Sequence, residues 1–127
     1  MSTKAFFKTA SPYQDDVMNL PVEDLDQAIP FYETVMGFQV GARQNTPHKS
    51  AVLSRDEVQI GLAENGGDPS NDGCFFEVDD VEVAFGELKA NGLDREEADY
   101  QVDEPYVLFF IIAPDGLCYC IGERRES

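Results

Sequence analysis

The cysteine and histidine side chains of this sequence could take part in chemistry, yet their spacing matches no catalytic motif. Cys118 and Cys120 are separated by one residue, so in a strand both lie on the same face. No histidine or helix start adjoins them to lower a thiol pKa, and a zinc site would need a second cysteine pair. His48, the single histidine, lies among turn-forming residues, which favours an exposed loop. We interpret both cysteines as small buried side chains.

Glu77 and Arg43 are the charged residues that strand alternation places on the face opposite the apolar side chains. A buried charge is costly unless it is paired. A salt bridge between the two would satisfy both charges, whereas an unpaired Glu77 could exchange a proton with a substrate. Glu77 is therefore the one candidate for catalysis. Tyr32, Tyr106 and Tyr119 are expected to pack against apolar side chains, with their hydroxyl groups at a cavity rim.

The elements that would position these residues occur twice in the chain. Residues 22–28 match residues 78–84 in type and order, and residues 56–64 match residues 115–123 in the same way. Each copy reads as a strand, an aspartate that caps a helix, and three further strands. The sequence thus predicts an α+β fold in which two β-α-β-β-β modules form a curved mixed sheet around a cavity.

We expect a single domain with the two modules at about residues 13–65 and 73–124. The linker between them, residues 66–72, is rich in turn formers. Asp24 and Asp80 are the expected helix caps, and Pro30 predicts a bend in the first helix or a later start. Residues 1–15 fit neither copy. Phe6 and Phe7 there could add an edge strand, or the terminus could be frayed.

Alternation along the predicted strands separates an apolar face, which must contact the helices, from a face of small, polar and aromatic residues. This mixture suits a ligand cavity. A dimer interface and a solvated sheet remain as alternatives. The candidate ligand-binding residues on this second face are Asn19, Arg43, Gln59, Gly61, Phe75, Glu77, Cys118 and Cys120.

Composition excludes several classes of partner. The 127 residues are 43% hydrophobic, enough for one core, and carry a net charge of −16. That charge has the wrong sign for nucleic acid or an anionic membrane surface, and no segment is long and apolar enough to span a bilayer. Three cysteines without a secretion signal indicate no disulfide framework, so we expect a cytoplasmic protein.

Several segments of the chain resemble the vicinal oxygen chelate superfamily, which includes glyoxalase I, bleomycin and fosfomycin resistance proteins and extradiol dioxygenases. Residues 19–25 resemble its first strand and Asp-Leu cap, and residues 31–38 its Phe-Tyr pair and Gly-Phe corner. Residues 76–81 resemble its middle strand and cap. Residues 114–116 resemble its Asp-Pro-Asp-Gly turn, with Ala113 in place of the first aspartate. The resemblance covers residues 13–124 and implies the repeated fold and frequent dimers.

Metal-dependent members of that superfamily take one ligand, usually His, Gln or Glu, from the first and last strands of each module. The resemblance places these positions at Val17, Gly61, Gly73 and Cys120. Valine and glycine have no donor atom in their side chains, and one thiol cannot hold a divalent ion that needs three or four ligands. We therefore expect no metal ion and no other cofactor.

The resulting interpretation is a metal-free small-molecule binding protein, which forms a homodimer and holds its ligand in the cavity of the curved sheet. One alternative is a metal-dependent lyase, isomerase or dioxygenase of the same superfamily. A second alternative is a dimeric interaction protein without a ligand. The sequence contains no nucleophile elbow and no phosphate-binding loop, and it leaves open whether any reaction is catalysed.

Overall fold

The computed structural model describes residues 4–12, 17–46, 49–69 and 72–125. These residues form two helices and two sheets. The helices are α1 (Leu25–Thr34) and α2 (Val81–Ala90). The strands are β1 (Phe7–Pro12), β2 (Leu20–Pro21), β3 (Gln39–Gln44), β4 (Ser50–Arg55), β5 (Val58–Ala63), β6 (Gly73–Val78), β7 (Gln101–Asp103), β8 (Tyr106–Ile112) and β9 (Cys118–Arg124).

Both helices begin at the aspartates that the sequence predicts. The carboxylate of Asp24 accepts a hydrogen bond from the backbone N–H of Gln27, and that of Asp80 accepts from the N–H groups of Glu82 and Val83. Such caps satisfy donors that have no partner inside the helix. Helix α1 starts directly after its cap and continues through Pro30, so a later start is ruled out.

A second pair of carboxylates repeats at the same helix starts. Glu64 follows β5 and accepts a hydrogen bond from the N–H of Leu25, at 2.9 Å from Oε2. Glu123 in β9 accepts from the N–H of Val81, at 3.0 Å from Oε1. Negative charge at a helix N-terminus is favourable because the free N–H groups carry partial positive charge. The sequence repeat is therefore a repeat of contacts as well.

The two sheets have the same internal order. The larger runs β1-β6-β9-β8-β7 and the smaller runs β2-β5-β4-β3. In each half the strand before the helix pairs in parallel with the last strand, and the other pairs are antiparallel. The mixed α+β fold predicted from the repeat is confirmed. One hydrophobic cluster joins side chains of both halves, including Leu53, Phe76 and Tyr119.

The N-terminal part of the chain departs from the expected arrangement. Residues 17–22 do not form a full strand, because Val17–Asn19 is a 3-10 turn and β2 contains only Leu20 and Pro21. Of the alternatives for the N-terminal residues, the edge strand is the one that forms. β1 pairs antiparallel with β6, and the fully buried ring of Phe7 packs against Phe38 and Phe76. Burial of this ring stabilises a segment that neither copy of the repeat predicts.

An ion pair buried between the two halves holds the start of β1. Arg55 Nη2 lies 2.6 Å from Glu87 Oε1, and both side chains are about 7% exposed. The same guanidinium donates to the carbonyl oxygens of Ala5 and Met36, and Glu87 also accepts from the N–H of Ala5. The guanidinium carbon lies 4.2 Å from the centroid of the Phe7 ring. These contacts join β4, α2 and the N-terminal segment.

Tyr32 and Tyr119 also connect the two halves, but not at a cavity rim. Their hydroxyl oxygens lie 2.7 Å apart in the core, and Tyr32 donates to Asp115 at 2.9 Å, so Tyr119 must donate to Tyr32. The expectation that these two hydroxyls reach a rim is wrong, because the neighbouring carboxylate satisfies them inside the protein. Burial raises the pKa of Asp115, against the lowering effect of the donated hydrogen bonds.

Candidate functional site

One face of the five-stranded sheet carries a cleft of about 610 Å³. The face is the one that alternates with the buried core positions of β6 and β9. We call this cavity the sheet cleft. Its lining residues come from all five strands: Thr9, Ser11, Phe75, Glu77, Asp103, Tyr106, Leu108, Phe110 and Cys120.

The floor of the sheet cleft is aromatic because a glycine lies beneath it. A Cβ atom on Gly122 would lie 3.0 Å from the ring of Phe75 and 3.2 Å from Leu108. The absence of a side chain there lets the Phe75 ring lie directly over β9. Tyr106 meets this ring edge to face, with centroids 5.2 Å apart and planes at 75°. Two rings thus present a fixed apolar surface to any occupant.

Two carboxylates border this floor. Glu77 on β6 is half-buried and accepts a hydrogen bond from the Tyr106 hydroxyl at 3.5 Å, a long contact. Asp103 on β7 is exposed. Among the residues that the structure describes, no lysine, arginine or histidine lines the cleft. The sheet cleft therefore combines aromatic rings with negative charge.

Cys120 is a weak nucleophile in this setting. Burial raises the pKa of its thiol to about 12, and the neighbouring Cys118 adds to the shift. A thiol with such a pKa is almost entirely protonated at neutral pH, and the thiolate is the reactive form. Cys74, which is buried on the other face of the sheet, also has its pKa raised to about 12 by burial. The interpretation of the cysteines as space-filling residues agrees with these surroundings.

A second cleft, of about 550 Å³, lies beside the ends of α1 and α2 and includes Arg55 and Glu87 in its lining. The two buried charges of this cleft neutralise each other and also bind backbone groups of Ala5 and Met36. The sheet cleft, which has no such internal pairing, is the better candidate for a ligand site.

Comparison with known proteins identifies the fold. A family model described as the glyoxalase/bleomycin resistance protein/dioxygenase superfamily matches residues 14–116. The chain belongs to this superfamily. A search of the curated proteins found no significant match. No helix among the described residues is long and apolar enough to cross a membrane.

Solved structures of the superfamily share the fold at low sequence identity. A bleomycin resistance determinant encoded on the transposon Tn5 is 20% identical, with a TM-score of 0.65 over 89% of this chain and 99% of that chain. A lactoylglutathione lyase from Agrobacterium tumefaciens is 20% identical, with a TM-score of 0.64 over 87% and 95%. An integron cassette protein from Vibrio cholerae is 17% identical, with a TM-score of 0.62 over 97% and 98%. At these identities the similarity concerns the fold alone.

Of the eight candidate ligand-binding residues, three line the sheet cleft, namely Phe75, Glu77 and Cys120. Cys118 is half-buried on the same strand, two residues from Cys120, and is not among the lining residues. The other four candidates lie in the N-terminal half, away from this cleft. His48 lies outside the residues that the structure describes.

Arg43 does not lie near Glu77, so the expected salt bridge between them is wrong. Its guanidinium instead pairs with Asp26 on α1, which also contacts Lys49. The pairing register of β3 and β4 shifts between Val40 and Arg43, and this irregularity interrupts the alternation from which the orientation was predicted. The pKa of Asp26 is lowered chiefly by the hydrogen bond from Arg43.

In the N-terminal sheet, a turn covers Gly61, one of the residues predicted to face a cavity. A Cβ atom on Gly61 would lie 2.2 Å from the carbonyl oxygen of Met18, so the 3-10 turn lies directly against β5. Asn19 is exposed, and its carbonyl and side-chain oxygens accept hydrogen bonds from Asn65. Gln59 is exposed. Asn19 and Gly61 differ from the prediction because a turn replaces the first strand.

The metal-ligand positions of the superfamily are not suited to an ion in this chain. Val17 lies in the 3-10 turn, Gly61 lies beneath it, and Gly73 offers no side chain. Cys120 supplies one thiol. Within residues 4–12, 17–46, 49–69 and 72–125, no three or more His, Cys, Asp or Glu side chains form a group that could hold a metal ion.

Sequence reasoning missed several residues of the sheet cleft. Leu108 and Phe110 alternate with Tyr106 along β8, and the same period-two argument used for β9 identifies them once the strand is placed. Tyr106 itself, whose hydroxyl is expected at a cavity rim, lines the cleft. Asp103 lies on a three-residue strand with no clear pattern. Thr9 and Ser11 lie on β1, whose partner strand is far away in the sequence. No local signal identifies these last three residues.

Proposed function

We propose that this chain is a metal-independent small-molecule binding protein, with its ligand in the sheet cleft. The observation that carries the proposal is the cleft itself. Its volume lies within the range of about 300–1,000 Å³ that is typical of ligand sites. An apolar floor bordered by a few polar groups is also typical of such sites.

The chemistry of the available donors supports a function without a metal. Val17, Gly61 and Gly73 have no side-chain donor, so the superfamily's ligand set does not fit an ion here. Cys120 is the remaining member of that set, and one thiol cannot hold a divalent ion that needs three or four ligands. We derive no reaction through a metal.

A thermal-shift screen of the purified protein tests this function. Aromatic antibiotics, thiol conjugates and short oxo acids are suitable ligand classes, and at least one is expected to raise the melting temperature. Phe75→Ala should abolish the shift, because it removes the floor of the cleft. Phe31→Ala, on α1, is a control that leaves the cleft unchanged.

Metal analysis of protein purified without chelator completes the test. About one equivalent of nickel, zinc, iron or manganese per chain would contradict the proposal and favour the metal-dependent alternative. Absence of a shift with every ligand class would favour an interaction protein without a ligand.

We further propose that the protein is a cytoplasmic homodimer. The side chain of Ile112 on β8, which does not line the sheet cleft, is 71% exposed, and a second copy could cover it. Light scattering at several concentrations measures the mass. A monomer throughout would contradict this part of the proposal.

A further inference from the structure

We infer that the ligand of the sheet cleft is a flat aromatic molecule with positively charged groups at both ends. This inference rests on the proposed function and adds the chemical class of the ligand. Three features of the cleft carry it: the sign of the lining charges, the aromatic floor, and the positions of the two carboxylates.

Within the described part of the chain, the charged residues that line the cleft are both negative. Glu77 and Asp103 are both carboxylates, and Arg43, the cation expected near Glu77, is paired with Asp26 elsewhere. Arg124 lies opposite Tyr106 in the pairing of β8 with β9. It does not line the cleft, and it has an interaction partner. An anionic ligand would meet repulsion here, and the net charge of −16 would add to it.

The half-buried Glu77 makes a cation the favourable complement. The hydrogen bond that it accepts from the Tyr106 hydroxyl is 3.5 Å long and leaves acceptor capacity on the carboxylate. A ligand that closes the cleft displaces water from this carboxylate. Such a loss is costly unless the ligand donates a hydrogen bond, and a charged donor gives the strongest one.

The floor adds a preference for a flat ligand. The ring of Phe75 is held over Gly122 and against Tyr106, and Phe110 extends the apolar surface along β8. Aromatic rings stack on such surfaces, and their faces also attract cations. A flat cationic molecule uses both interactions, whereas an aliphatic cation uses only the second.

The two carboxylates lie on opposite sides of the floor. Glu77 is on β6 and Asp103 on β7, and β9 and β8 lie between these strands. Three strand spacings of about 4.8 Å separate the two backbones by roughly 14 Å along the sheet. A ligand that spans the floor therefore meets one carboxylate at each end, which favours a positive group at each end.

The test uses two fluorescent probes with the same aromatic skeleton. The first, 4′,6-diamidino-2-phenylindole, carries an amidinium at each end, and the second, 2-phenylindole, carries none. Fluorescence titration should give a Kd for the diamidine at least about tenfold lower than for the neutral skeleton, the equivalent of one charge-assisted hydrogen bond. Its affinity should also fall as salt is added.

Variants that remove one carboxylate charge test whether Glu77 and Asp103 each bind a charged end of the ligand. Glu77→Gln and Asp103→Asn should each weaken diamidine binding about fivefold or more and leave 2-phenylindole binding unchanged. Glu57→Gln removes the same charge from an exposed turn in the N-terminal half and should change neither affinity. Circular dichroism would check that each variant is folded.

The outcomes separate failure of the ligand class from failure of the proposed function. Equal affinities for the two probes would overturn the ligand class and leave a binding cleft. Equal weakening by Glu57→Gln and the cleft variants would show attraction to the acidic surface in general, and would also overturn it. Absence of binding by either probe, together with no hit in the ligand screen, would overturn the proposed function too.

Discussion

Removal of the Glu87 carboxylate should be among the most destabilising single changes in this protein. Glu87 accepts from Arg55 at 2.6 Å and from the N–H of Ala5 at 2.9 Å, and its side chain is 7% exposed. Glu87→Ala leaves a buried guanidinium without its main counter-charge and a buried N–H without an acceptor. Breaking a buried pair in this way costs about 3–5 kcal/mol.

Because Asp56 also contacts Arg55, we expect the loss of stability in Glu87→Ala to lie near the lower end of that range. The Asp56 carboxylate lies 3.4 Å from Arg55 Nε and is 30% exposed, so it compensates part of the charge that Glu87 leaves behind. We expect a loss of about 3 kcal/mol in the free energy of unfolding, a large fraction of the 5–15 kcal/mol typical of a domain. The melting temperature should fall by about 10 °C.

Urea denaturation followed by far-UV circular dichroism measures this loss. Glu82→Ala is the matched control, because Glu82 lies on the same helix and pairs with Arg125 at the surface, where its side chain is 69% exposed. Such pairs contribute less than about 1 kcal/mol. The double variant Arg55→Met, Glu87→Met should cost at least about 1 kcal/mol less than the sum of the single variants, because it removes both charges.

Two results would refute this reasoning. One is a loss for Glu87→Ala no larger than that for Glu82→Ala, which would mean that the buried pair contributes no more than a surface pair. The other is additivity of the two methionine substitutions, which would mean that the charges do not stabilise each other.

Other contacts give further predictions. Tyr32→Phe should lower the free energy of unfolding by about 1–2 kcal/mol at pH 7 and by less at pH 4. Burial raises the pKa of Asp115 above its ordinary 3.8, so ionisation of this carboxyl lowers the free energy of unfolding as the pH rises. The hydrogen bond from the Tyr32 hydroxyl stabilises the ionised carboxylate and so makes this decrease smaller. Urea titrations at both pH values check this, and equal losses would contradict it. Gly61→Ala should destabilise the protein by about 1–3 kcal/mol, because its Cβ would lie 2.2 Å from the carbonyl oxygen of Met18. Gly41→Ala meets only Val52 O at 3.4 Å and should change the melting temperature little, so similar shifts for the two glycines would refute the close approach.

Local sequence signals predicted the elements that depend on neighbouring residues. Asp24 and Asp80 cap their helices as expected, because a cap is formed by groups two or three residues apart. Alternation along β6 and β9 placed Phe75, Glu77 and Cys120 on one face for the same reason. These strands are regular, so the period of two holds from end to end.

The same alternation failed where the backbone is irregular. Arg43 follows a shift in the pairing of β3 with β4, and Asn19 lies in a 3-10 turn rather than in a strand. Both irregularities depend on how distant segments pack, and a single sequence contains no local mark of them. Gln59 and Gly61 lie away from the sheet cleft for another reason, because β5 belongs to the four-stranded sheet and the cleft lies on the five-stranded one.

The order of residue types along the chain was enough to establish the repeat, the helix caps, the superfamily and the acidic surface. Tertiary structure alone decided that Ala5, Arg55 and Glu87 meet, that β1 adds Thr9 and Ser11 to the sheet cleft, and that a turn covers Gly61. Hydrogen bonding within a helix or turn acts over a few residues, whereas Ala5 and Glu87 are 82 positions apart. Contacts over such separations form only when the packing of the whole core brings them together.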